Sequence, residues 1–308
     1  MRLLIFRLCR KVVLCMNKII PHLWFDKEAK EAALFYTGLL EDSAILGNVI
    51  IENTPSGDSE IVTFRLESIA FESISAGPYF KFNPSISLMV YCKTEEELKR
   101  LWGELKKDGA ELMPLGEYHF SNLYSWVEDK YGLSWQLFYN QGQEFHQKIV
   151  PSMLFSSGVC GQAKDALDFY QRVFKDSKLN TISYYGKGDA PNKNALVNYS
   201  SLSIHDFEIV LMDNAMEADF TFNEAFSLII RCKDQEEIDY YWDKLSADPE
   251  AEACGWLKDK FGVSWQIVPD TMEELLFGGT KEELQRVTEA FLKMKKFELS
   301  ELEKAKIG

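Results

Sequence analysis

"WVEDKYGLSWQLF" runs from Trp126 to Phe138, and "WLKDKFGVSWQIV" runs from Trp256 to Val268. Seven of the thirteen positions are identical, at a constant offset of 130 residues. Gly132 and Gly262 suit the positive φ of a tight turn, so each block reads as a β-hairpin with "DKYG" or "DKFG" at its turn. Alternation along "LSWQLF" puts Ser134, Gln136 and Phe138 on one face of the returning strand and Trp135 and Leu137 on the other.

Two further blocks recur in the same order. "IIPHLWF" (19–25) returns as "IVPSMLF" (149–155), again offset by 130. "FNPSISLMVYCKTEEELKRLW" (82–102) returns as "FNEAFSLIIRCKDQEEIDYYW" (222–242), offset by 140. The second copy therefore gained about ten residues early and lost about ten later, opposite "LGEYHFSNLYS" (115–125) in the first copy. Ordered repetition over this length is a domain duplication, far beyond the roughly 20–50 residue period of a solenoid. The expected organisation is a leader at 1–16, a first domain at 17–140, a linker at 141–148, a second domain at 149–270 and a tail at 271–308.

Each copy reads twice as strand, helix, strands. "DKEAKEAALFYTGLL" carries Ala29, Ala32, Ala33, Phe35, Tyr36 and Leu39 at helical spacing. Thr94 with Glu97 predicts a capping box, repeated by Asp234 with Glu237, and Gly109 marks a helix stop. The chain thus holds four βαβββ-like modules, an α+β architecture. The tail "KEELQRVTEAFLKMKKFELSELEKAK" is amphipathic and charged. It is expected to pack as helix on the second domain, with a partner-binding helix as the alternative.

Composition narrows the function classes. The formal net charge of −14 argues against nucleic acid, because a phosphate backbone needs clustered Lys and Arg. Six cysteines, at 9, 15, 92, 160, 232 and 254, form no CxxC pair, and there are only four His, so a zinc site of ordinary spacing is not expected. Cys92 and Cys232 occupy matching places and read as buried thiols in a reducing, cytoplasmic setting. Arg7, Arg10 and Lys11 interrupt the apolar start, which is therefore read as a disordered leader or as residues ahead of an initiator at Met16. No run reaches the ~20 apolar residues of a membrane helix, so no membrane partner is expected.

The paired modules, the "IxPxLxF…AxxFY" openings and the ending "CGWLKDKFGVSWQIVP" resemble PhnB-like proteins of the vicinal oxygen chelate superfamily, the glyoxalase and bleomycin-resistance fold. The family label for such domains is 3-demethylubiquinone-9 3-methyltransferase. The resemblance covers about residues 18–139 and 149–300. It implies two tandem glyoxalase-like domains, each of paired βαβββ modules with sheets curled around a cavity. The superfamily's metal-ligand positions carry over to Pro21 and Pro151, to Ser85 and Ala225, and to Gln136 and Gln266. The fourth has Ser75 and Leu211 as its nearest matches. Proline has no side-chain donor and a neutral amide is a weak ligand, so no metal ligands are assigned and no cofactor is expected, with a divalent metal as the alternative. On this alignment His22 turns to the face opposite the ligand position.

The candidate ligand-binding residues are Gln136 and Gln266, with Ser134, Ser264 and Ser85, and with Tyr118 and His119 from the aromatic insertion of the first copy. For the glutamines the competing reading is a buried amide that pins the wall; for the insertion it is a loop packed on a sheet edge. His146 and His205 are read as exposed, and Asp213 as an acid near a cavity rim. The resulting expectation is a small-molecule-binding protein with an aromatic-lined cavity and an internal pseudo-dimer. The alternatives are an isomerase, lyase or dioxygenase with a non-standard metal site, a structural dimer mimic in a larger assembly, and a methyltransferase as the label suggests. For the last, no Gly-rich strand-turn-helix is present, and "YYGKGDAPNK" (184–193) reads as a hairpin loop.

Overall fold

The apolar run Ile19–Phe25 forms β1 and is buried along almost its whole length, as a strand covered on both faces must be. The computed structural model describes residues 18–308, so the leader and its cysteines lie outside the described residues. After β1 come α1 (Ala29–Leu39), β2 (Ala44–Thr54), β3 (Gly57–Leu66) and β4 (Ile69–Ser75), which complete the first module. The second module is β5 (Ile86–Tyr91), α2 (Glu95–Leu105), β6 (Ala110–Tyr118), β7 (Ser121–Glu128) and β8 (Ser134–Tyr139). The third is β9 (Ile149–Phe155), α3 (Ala163–Val173), β10 (Ser177–Tyr184), β11 (Val197–Ile204) and β12 (Phe207–Asp213). The fourth has β13 (Phe226–Cys232), α4 (Gln235–Leu245), β14 (Trp256–Lys258) and β15 (Ser264–Pro269). It lacks a counterpart of β6, the strand that the first copy builds with its insertion.

Helix starts follow local chemistry. Thr94 and Asp234 accept from the backbone N–H of Glu97 and Glu237, leaving fewer orphan donors in the first turn. The predicted reciprocal half of each box reaches one residue further back, to the N–H of Lys93 and Lys233. Gly109 is required by close approach: a Cβ there would lie 2.1 Å from the Glu128 carbonyl oxygen.

The tandem glyoxalase-like modules assemble into two curled sheets, and the strands that join them come from different copies. One sheet has the order β14-β15-β13-β1-β4-β3-β2, the other β10-β11-β12-β9-β5-β8-β7-β6. The antiparallel joint β1–β13 runs from Ile19 opposite Ile230 to Leu23 opposite Phe226. Its equivalent, β5–β9, runs from Ile86 opposite Met153 to Val90 opposite Ile149. Each sheet therefore pairs the first module of one copy with the second module of the other. Outside the strands, Asn83 donates to the Thr221 carbonyl and Asn223 donates to the Lys81 carbonyl, a reciprocal pair of contacts between copies.

Within a copy, the two modules meet through their helices instead. Tyr36 of α1 reaches β8's Trp135, and Tyr170 of α3 reaches β15's Trp265, with ring centroids 5.1 and 5.5 Å apart. The main core fills this helical side of both sheets. Lys148, at the end of the linker, is held between Glu67 and Glu97, each at 2.6 Å.

The tail forms α5 (Met272–Phe277), α6 (Lys281–Phe291) and α7 (Leu299–Ile307) around a small core of Met272, Leu275, Val287, Phe297 and Leu302. It contacts both copies. The N–H groups of Cys254 and Gly255 donate to the carbonyls of Met294 and Lys295, occupying the edge that a β6 counterpart would take. Across from this, Lys281 pairs with Glu52 of β2 at 2.7 Å. Among the described residues no helix is long and apolar enough to cross a membrane.

Candidate functional site

The repeated block is held by its aspartate. Asp129 accepts from the Tyr36 hydroxyl, the Trp135 indole and the N–H groups of Tyr131 and Leu133, at 2.8–3.1 Å. Asp259 does the same with Tyr170, Trp265, Phe261 and Val263. Burial raises the Asp129 carboxyl to about 6 against the pull of these four donors, and it raises Asp259 likewise. Each aspartate ties hairpin, returning strand and helix together, and fixes which face of β8 or β15 turns away from the helices. From the sequence these aspartates are expected only as turn residues. The signal available was an Asp kept six residues before the Trp in both copies.

The face that turns away from the helices in the first sheet encloses a cavity of about 450 Å³. On β1, Ile19, Leu23 and Phe25 enter the helical core, whereas His22 and Trp24 line the cavity. The expected parity is therefore reversed: His22, not Pro21, faces the cavity. His22 lies in register with Glu72 on β4, which also lines it, as does Gln266 on β15. Pro21, Ser85 and Gln136 are expected to share one set of positions, but Gln136 is in β8 of the other sheet and Ser85 directly precedes β5 of that sheet. The cause is the exchange of modules, which sets β1 beside β13 rather than beside β5.

The polar groups in this cavity are poorly satisfied. His22 is 2% exposed, its Nδ1 is buried without a hydrogen-bond partner, and its ring stands edge-on to Trp256 at 5.2 Å. Burial lowers its pKa to about 3, so the imidazole is neutral at physiological pH. The Glu72 carboxyl makes no hydrogen bond or ion pair to a described residue. Desolvation raises its pKa to about 7, and Arg231 opposes the rise. Gln266 donates from Nε2 to Ser227 Oγ at 3.0 Å; Ser264, two residues before it on β15, is not among the lining residues and its Oγ is buried without a partner.

Glu72 is consequently held at a cost to the fold. Its folded pKa is above the ordinary carboxylate value, so its share of stability is full below about 4.5 and is lost as pH rises through 7. Glu72→Gln should therefore raise stability at pH 8 by about 1–2 kcal/mol and change it little at pH 4.5. Urea melts at the two pH values check this, and a variant less stable at pH 8 would contradict it.

The equivalent face of the second sheet is filled. Ser152 and Val210 stand in the register of His22 and Glu72. Met89, Tyr124, Phe138, Val150 and Val210 pack together there, with Tyr118 against them. The insertion supplies part of the filling: the rings of Tyr118 and Phe120 lie 5.5 Å apart and both meet Tyr124 edge-on. Gln136 is buried within this packing, accepting from the Tyr124 hydroxyl at 2.9 Å and donating to Ser87 Oγ at 2.6 Å. Ser134 accepts from the Trp126 indole. Ser85 uses its backbone, accepting from Leu154 N–H and donating to Asn83, near the junction of the copies. His119 is exposed. The predicted site residues are thus divided: Gln266 lies on the open cavity, and Gln136, Ser134 and Tyr118 lie in the filled one.

Gln136→Glu should lose about 1–3 kcal/mol at neutral pH, because a carboxylate would replace an amide with both ends bonded in apolar packing. The loss should shrink in acid, where the neutral form is retained. Equal stability of variant and parent at neutral pH in a urea melt would contradict this.

Asp213 is fully buried, and its carboxylate accepts four backbone N–H groups, from Gly161, Ala163, Leu196 and Val197. It anchors a helix start to a loop and does not reach a cavity rim. Among the described residues no three His, Cys, Asp or Glu side chains stand together as metal donors. On the sheet wall of the open cavity stand one imidazole, His22, one carboxyl, Glu72, and a neutral amide, Gln266; Glu250, Cys254 and the Lys258-paired Glu224 line it elsewhere, and an amide beside one imidazole and one carboxyl is a weak set for a divalent ion.

The family described as 3-demethylubiquinone-9 3-methyltransferase matches residues 17–138 and again 147–268. Among solved structures, the PhnB protein from Bacillus cereus is 41% identical over 40% of this chain and 100% of its own, with a TM-score of 0.38. Glyoxalase I from Zea mays is 12% identical, covering 84% of this chain and 96% of its own, with a TM-score of 0.53, a likeness of fold alone. None of the curated proteins matches the chain. Matched over both copies, the chain belongs to the 3-demethylubiquinone-9 3-methyltransferase family, as a tandem member.

Proposed function

We propose that the chain is a small-molecule-binding protein with one built site, the cavity beneath the tail helices. The observation that carries this is a cavity of about 450 Å³, within the ordinary range for ligand pockets, whose wall includes His22, a neutral imidazole with a buried Nδ1 that has no hydrogen-bond partner. Apolar walls come from β2, β3 and the tail, through residues such as Ile51, Ile61, Leu276 and Phe291. They suit a compact, largely apolar ligand, with His22, Glu72 and Gln266 left to fix its polar group. The filled face of the second sheet supports one ligand per chain.

An isomerase or lyase is the second reading, favoured by Glu72. A carboxyl with a pKa of about 7 can both take and return a proton at neutral pH. Methyl transfer draws no such support, since the Gly-containing stretch at 184–193 leads from β10 into a loop and then β11, with no helix behind it.

Trp24 and Trp256 both line the cavity, so ligand entry is readable in intrinsic fluorescence. In a screen of apolar compounds carrying one polar group, a hit should quench with one site per chain and weaken on His22→Ala. The Gln136→Ala chain should bind as the parent does. A stoichiometric divalent ion after purification without chelator, whose removal abolishes binding, would replace this reading with metal-dependent chemistry. If every compound is refused, the cavity is not a binding site.

A further inference from the structure

The cavity has an aromatic corner. Trp24 meets Phe80 at 5.1 Å and 82°, and meets Trp256 at 6.0 Å and 74°. His22 closes the other side of Trp256 at 5.2 Å and 88°. These four rings form a chain of edge-to-face contacts along the cavity wall. The Trp24 indole N–H is already used, donating to the Gly77 carbonyl at 2.8 Å. What this ring offers the cavity is therefore its carbon frame and π face.

The unpaired charges that line the cavity are acidic. Glu72 and Glu250 line the cavity, as do Glu224 and Lys258, which neutralise each other at 2.7 Å. Arg231 lies behind Glu72 in an adjoining small cleft, where it pairs with Asp270 at 3.1 Å and Glu273 at 4.0 Å. His22 stays neutral. Among the described residues, no unpaired cation lines the cavity. An anionic ligand would meet Glu72 with nothing to balance it, whereas a cation would meet both a carboxylate and ring faces.

The geometry points to an organic cation as the ligand class: a quaternary or fully substituted ammonium group seated among Trp24, Phe80 and Trp256 beside Glu72, with its apolar remainder under the tail. This rests on the small-molecule reading above and names the chemistry of its ligand. A cation over aromatic faces is attracted by the ring quadrupole, and more strongly where water is displaced. A nearby positive charge also favours the ionised form of Glu72, so binding completes an ion pair that the free protein lacks.

The test compares choline with 3,3-dimethylbutan-1-ol, the same shape without the charge, by calorimetric titration of the full chain. Choline should bind at least about tenfold more tightly. Glu72→Gln should cost choline about tenfold and leave the alcohol unchanged; Trp24→Leu should also narrow the preference. Equal affinity for both compounds would overturn the cation assignment while leaving a binding cavity. Refusal of choline together with binding of a neutral apolar compound would do the same. Refusal of choline, the alcohol and all apolar compounds would overturn the assignment and the binding reading together.

Discussion

Asp259→Ala should lower the unfolding free energy by about 3–5 kcal/mol, the largest single-residue effect expected in this protein. The side chain is 3% exposed and serves four donors. Truncation leaves the Tyr170 hydroxyl, the Trp265 indole and two backbone N–H groups buried without an acceptor, each costing about 1–3 kcal/mol less whatever relaxation recovers. Asp129→Ala should behave alike, because Tyr36 and Trp135 are fully or almost fully buried. Asp259→Asn should fall between, since an amide keeps one acceptor but turns an NH₂ toward donors. Asp270→Ala, at an exposed ion pair with Arg231, is the control and should cost under about 1 kcal/mol. Urea melts of the four variants decide it. A loss for Asp259→Ala no larger than the control's would mean that the donors find other partners.

The first copy expressed alone, residues 18–148, should form a dimer. Without the second copy, β1 loses β13 and β5 loses β9, so both sheets are cut at their middle and two apolar strands become edges. Exposed, flat, hydrophobic edges pair with whatever strand is available, and another copy of the same segment offers matching ones. Light scattering after size exclusion should give twice the segment's mass, with aggregation as the competing loss. Adding residues 149–308 during refolding should draw the segment into a one-to-one complex. A well-folded monomer of the first copy would show that the joints β1–β13 and β5–β9 contribute little to stability.

Particular residues show how far the sequence could be read. The apolar stripe from Ala29 to Leu39 within 26–40 marks α1 as a helix, because one face packs and the other is wet, and the helix runs Ala29–Leu39. The Trp135 and Gln136 faces were separable, because an indole and an amide demand different surroundings. His22 was assigned to the wrong face. Six of the seven residues of β1 are buried, so alternation of polarity carried no information there, and parity rested on counting from a distant pair of residues. The insertion around Tyr118 reads as a pocket wall or as packing on a sheet edge. It forms part of the β6–β7 hairpin at the edge of the second sheet, and Tyr118 also packs against the cluster that fills the second face, a matter of packing volume that its letters do not express.

The sequence by itself determined the duplication, the four modules, the order of strand and helix, the family and the chemistry available at each position. These follow from local spacing and repetition, which act along the chain. Tertiary structure alone decided three things. It chose which copy's strand lies beside β1, since both candidates are apolar strands of like length and pairing is set by the whole assembly. It left one concave face open under the tail and closed the other with aromatic rings. It also turned His22, Glu72 and Gln266, far apart in the chain, onto one wall, because in a curled sheet neighbourhood is set by register across strands and not by distance in sequence.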